Sequence, residues 1–95
     1  RRGGGTIHYY RTGSGREVDF IWREGARPWQ LLQVCESLVH PETRNRELAA
    51  LREAMREQGL ECGVIVTREE SEALTVEEGR ISVIPVWQFL LSFAG

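Results

Sequence analysis

One long helix signal lying between two short apolar runs constrains this chain more than any other feature. Pro41-Glu42-Thr43 opens a stretch that runs to Gln58 and is stopped by Gly59; proline is favoured at the first helical position and glycine just past the last. Its apolar stripe is Leu48, Leu51 and Met55, helped by Ala54. Stepping back four residues from Leu48 puts Arg44 on that stripe, with Glu47 beside it. Glu42 and Arg46 stand at i,i+4, a pair worth a few tenths of a kcal/mol. Before the helix, residues 29–37 form a continuous rather than an alternating run, the signature of a strand covered on both faces. Leu31, Gln33 and Cys35 share one of its faces, and Leu32, Val34 and Glu36 the other. After the helix, residues 61–67 read as a second such strand. Strand, helix, strand in that order predicts a right-handed crossover and a parallel pair.

The segments on either side fit the same sheet. Residues 7–12 are β-branched and aromatic, and Gly13-Ser14-Gly15 supplies the tight turn that hairpins need. Residues 17–23 then alternate, with Val18, Phe20 and Trp22 on one face and Glu17, Asp19, Ile21 and Arg23 on the other. Residues 74–76 and 80–84 flank a turn at Glu77-Glu78-Gly79 as short strands. Pro85 suits the first position of a last helix reaching about residue 93, apolar nearly all round, which the sheet or a partner must cover. The expected architecture is α/β: a mixed β-sheet with an N-terminal antiparallel hairpin and a β-α-β crossover, and helices packed on it.

Ninety-five residues make a single domain, 1–95, with one modest core. All twelve basic residues are arginine, thirteen of the fourteen acids are glutamate, and Asp19 is the lone aspartate. The absence of lysine excludes a Schiff base, a lysine general base and a P-loop phosphate clamp on this chain. An all-arginine repertoire also suits GC-rich coding, a compositional cause without functional meaning. The apolar run 81–93 is too short and too polar to span a membrane. The start, Arg1-Arg2-Gly3-Gly4-Gly5, has neither a signal peptide nor an initiator methionine. The chain is therefore expected to be a cytoplasmic domain excised from a longer protein.

Two cysteines, Cys35 and Cys62, lie in the apolar runs and are expected to be reduced and buried. With His8 and His40 they match no zinc spacing. Cys35 as a nucleophile lacks a base, since neither histidine lies on an element tied to it. Trp22, Trp29 and Trp87 read as core and sheet cover. Arg11, Arg16 and Arg23, with Arg1 and Arg2, concentrate positive charge on the first hairpin. They are the candidate nucleic-acid contacts of a chain that is acidic overall.

The chemistry-bearing pattern is a hairpin whose second strand carries a carboxylate, followed by a buried strand carrying polar groups. That plan resembles the restriction-endonuclease-like core, the PD-(D/E)XK superfamily. There, an aspartate and an acid-x-lysine on the next strand hold Mg²⁺ and an attacking water. More narrowly, the chain resembles the C-terminal domain, of unknown function, of prokaryotic AAA+-type ATPases. The carrying segments are Tyr9-Tyr10-Arg11-Thr12 with Gly15-Arg16-Glu17-Val18-Asp19-Phe20, and Leu32-Gln33-Val34-Cys35. Pro41-Glu42-Thr43-Arg44-Asn45-Arg46-Glu47 and Ile84-Pro85-Val86-Trp87-Gln88-Phe89-Leu90 complete them.

The resemblance implies a nuclease-like fold after an ATPase module that this chain does not contain. Asp19 matches the first metal-binding aspartate; Gln33 and Cys35 stand where an active nuclease has its acid and its lysine. An amide and a thiol replace neither, and a carboxylate with a glutamine binds Mg²⁺ weakly. The expected function is that of a non-catalytic interaction or regulatory domain, a pseudo-nuclease with no cofactor of its own beyond weak Mg²⁺. ATP would enter only through the upstream domain. Expected partners are that domain, a second copy of this chain or another protein. One alternative is a metal-dependent nuclease with a migrated site, using Asp19, Glu17 and Glu47 with Arg44 as the cation. Another is a non-cleaving nucleic-acid binder. On the structural side, Arg44 and Glu47 would pair with Asp19 or with each other and hold the helix on the sheet.

Overall fold

The computed structural model describes residues 5–94. Six strands and two helices follow in the order β1 (Gly5–Arg11), β2 (Glu17–Glu24), β3 (Gln30–Val34), α1 (Pro41–Gln58), β4 (Cys62–Thr67), β5 (Glu72–Val76), β6 (Gly79–Pro85) and α2 (Val86–Ala94). The strands form one mixed sheet in the order β1-β2-β3-β4-β6-β5. β3, β4 and β6 run parallel, while β1, β2 and β5 join antiparallel. The α/β class, the hairpin and the parallel β3–α1–β4 pair are as the sequence predicts.

α1 begins with Pro41 in its first turn and ends on Gly59, whose φ of 65° is left-handed. Gly59 N–H donates to Arg56 O and Leu60 N–H to Met55 O, closing the last turn. Ala50, Leu51, Ala54 and Met55 are buried against Val18, Ile21, Leu31, Ile65, Ile81 and Val83 of the sheet. Gly63 on β4 permits that approach: a Cβ there would lie 2.9 Å from Leu51 Cγ. Leu32 and Val66 point to the opposite face and are also buried. α2, which touches β4 and β6, lies on that side.

Carboxylates from α1 moor the hairpin. Glu57 accepts from Gly13 N–H (2.7 Å) and the Tyr10 hydroxyl (2.6 Å). Glu53 accepts from Ser14 N–H and hydroxyl and from Arg16. From the same turns of the helix, on another flank, Arg52 and Arg56 bind the Glu78 carboxylate in the β5–β6 turn.

Five local expectations are corrected. The simple alternation of β2 fails because the register with β1 shifts between His8 and Tyr10. Two steps on β1 are matched by three on β2, so Val18 and Ile21 both face the core while Phe20 is exposed. β3 stops at Val34 rather than residue 37. Cys35 still donates its N–H to Val66 O, but its chain then turns to reach α1. Pro85 ends β6, opposite Thr67, instead of opening α2. Cys62 is exposed and Cys35 half-buried, where both were expected to be buried, and both are free. Trp87, expected as sheet cover, is exposed on α2.

Candidate functional site

β2 and β3 pair only over Phe20–Leu32, Ile21–Leu31 and Trp22–Gln30. Beyond Phe20 the bulged β2 parts from β3, and side chains replace the missing ladder. Gln33, 2% exposed, accepts from Asp19 N–H at 2.9 Å and donates to Glu17 C=O at 3.3 Å. Asp19 Oδ2 in turn accepts from Val34 N–H at 2.7 Å. Backbone groups left without a ladder partner need another, and here an amide and a carboxylate supply it. The Gln33 amide meets this double demand because it carries an acceptor and a donor together.

The parting of the strands opens a pocket of about 380 Å³ lined by Arg16, Glu17, Asp19, Gln33, Val34, Arg46, Glu47 and Ala50. Three of the four residues at the degenerate-site positions, Glu17, Asp19 and Gln33, therefore meet in one pocket, joined by Glu47 from α1. Cys35 does not line it. Its thiol leans towards Ser37 O at 3.9 Å and is pushed up by burial, then by the Glu47 and Glu70 charges. A shift in that direction disfavours the reactive thiolate.

Burial likewise raises the Glu47 carboxyl above the ordinary glutamate range; Arg46, 3.6 Å away, opposes this and the Asp19 charge adds to it. Glu47 and Asp19 therefore face one another across the pocket as like charges in a partly dry space. Among the described residues no group of three or more His, Cys, Asp and Glu side chains is placed to hold a metal ion.

Arg44 does not reach this pocket. Its guanidinium grips Glu72 on β5 through two bonds, 3.1 and 2.9 Å, on another part of the sheet. It does tie the helix to the sheet, but through a partner the sequence pattern does not single out. Arg46, expected to pair with Glu42, is bonded instead to its neighbour Glu47.

The hairpin arginines are also engaged: Arg11 pairs with Glu17 at 3.0 Å, Arg16 with Glu53 at 3.1 Å, and Arg23 stacks over Trp29 at 4.6 Å. Arg1 and Arg2 lie outside the described residues. Sequence reasoning missed Arg46, Ala50 and Val34 as pocket residues. The signal for the helical pair was present, since Arg46, Glu47 and Ala50 share one face at i, i+3 and i+4 spacing.

No helix among the described residues is long and apolar enough to cross a membrane. Comparison of the chain with protein families, with curated proteins and with solved structures finds no match.

Proposed function

We propose that this chain is a non-catalytic interaction domain, a degenerate restriction-endonuclease-like fold that serves as the cytoplasmic C-terminal module of an AAA+-type ATPase. The observation that carries the reading is the use made of Gln33. Its amide donates to Glu17 C=O and accepts from Asp19 N–H, so the position where a nuclease needs a free carboxylate is committed to holding two strands together. Asp19 gives one oxygen to Val34 N–H, and the chain has no lysine to orient a nucleophile. Such a domain acts by contact, with the upstream ATPase domain or with a partner.

Calorimetric titration with Mg²⁺ or Mn²⁺ tests this, with no site tighter than millimolar expected. Metal-dependent cleavage of DNA or RNA that disappears in Asp19→Ala would overturn it. One observation favours the migrated-site nuclease as the second reading: Glu47 faces Asp19 from the helix. On that reading Glu47→Gln abolishes cleavage, whereas on ours there is none to abolish.

A further inference from the structure

α1 covers the sheet face that carries Ile21, Leu31 and Ile65, and the opposite face is only partly covered. There α2 lies at the β4–β6 side, and Phe89 is the half-buried residue of its Val86–Ser92 stretch. Beside it, over β1, β2 and β3, the sheet shows Ile7, Tyr9, Phe20 and Val34 to solvent. α2 itself shows Trp87, Leu90 and Leu91. These seven residues are between 39 and 63% exposed. Side chains of this size present roughly 200 Å² each. Their exposed parts thus total about 800 Å², what one partner gives to a standard stable interface.

The two halves of this surface fit each other. Three strands at ~4.8 Å spacing make a shelf about 10 Å across, and a helix with its side chains is about 10–12 Å wide. α2 carries no charged residue, so nothing on it repels a like helix across a two-fold axis. A two-fold contact requires that each chain bear both the donor and the acceptor surface. This chain bears both, on one face.

We infer that the chain forms a two-fold dimer in which α2 of each copy lies on the β1–β3 shelf of the other. The inference rests on the interaction-domain reading above and names the partner as a second copy. Burying Trp87, Leu90 and Leu91 supplies the cover that an apolar helix needs, and the Arg11–Glu17 pair beside Tyr9 makes a polar rim.

Sedimentation of the 95-residue chain from micromolar to several hundred micromolar concentration is expected to give twice its 10.9 kDa. Phe20→Arg on the shelf and Leu90→Glu on the helix each halve that mass, while circular dichroism shows both variants still folded. Mixing the two restores the dimer. The mixed pair has one intact contact and one in which the new arginine meets the new glutamate, and that rescue marks α2 seated on the shelf. A monomeric wild-type chain overturns the inference, as does a dimer that survives both substitutions or a mixture that stays monomeric. None of these outcomes touches the non-catalytic reading, which fails only on the cleavage assay.

Discussion

Gln33 is buried and answers two backbone groups at once, so it tolerates little change. A Gln33→Glu variant keeps an acceptor for Asp19 N–H but loses the donor to Glu17 C=O and buries a charge. It should cost about 1–3 kcal/mol by urea unfolding at neutral pH, the range for a buried group left unsatisfied. Asp19→Ala should cost less, about 0.5–1.5 kcal/mol, because the Val34 N–H it frees is at an exposed bond where water can replace the carboxylate; Asp19→Asn keeps an acceptor and costs less still. Glu47 acts in the opposite sense. Its carboxyl titrates higher in the fold than in the unfolded chain, so its contribution is present at low pH and lost as pH rises through the folded value. Glu47→Gln should therefore raise the melting temperature at pH 7 and leave it nearly unchanged at pH 4. Asp19 and Gln33 were singled out in the sequence by the resemblance, and the structure brings both into the pocket lining. What they do was not legible in the sequence, because their role depends on where β2 leaves β3.

At the scale of elements, α1 packs closely on β4 at Gly63. Gly63→Ala would drive a methyl into Leu51, which has no free space to yield. The expected loss is about 1–3 kcal/mol, the usual cost of overpacking a closed core. Chemical denaturation of that variant and of Gly63→Ala/Leu51→Ala separates crowding from cavity effects: if the clash dominates, the second costs less than the two single losses added. The helix bounds were legible because Pro41 and Gly59 are backbone signals. The inward face of β2 was not. One extra residue opposite Tyr9 turns Ile21 inward and Phe20 outward, and no local pattern in residues 17–23 marks that bulge.

Across the whole molecule, carboxylates tie the two layers and the loops between them. Glu53 holds the hairpin turn, Glu72 joins β5 to α1, Glu78 joins the β5–β6 turn to α1, and Glu70 binds Ser37 and Leu38 in the β3–α1 connection. All four titrate below the ordinary glutamate range. For Glu53, bonds from Ser14, Thr12 and Arg16 bring it from 4.5 to about 2. Folded values below unfolded ones mean that this stability is present above about pH 4.5 and is lost as pH falls towards 2. Acid unfolding should set in through that window, and Glu53→Gln should weaken its pH dependence. Chemical-denaturation midpoints measured from pH 7 to pH 2 check both.

The amino-acid sequence by itself determined the order of elements, the parallel β3–α1–β4 pair and the residues from which a nuclease-like site would be built. The first two rest on periodicity and on proline and glycine signals that act over a few residues, and the third on the resemblance to a nuclease-like pattern. Only the tertiary structure decided that Glu47 rather than Arg44 reaches the pocket, that Gln33 replaces a missing ladder, and that one sheet face stays open beside an uncovered helix. Each of these depends on contacts between residues far apart in the chain, whose geometry a bulge of a single residue can redirect.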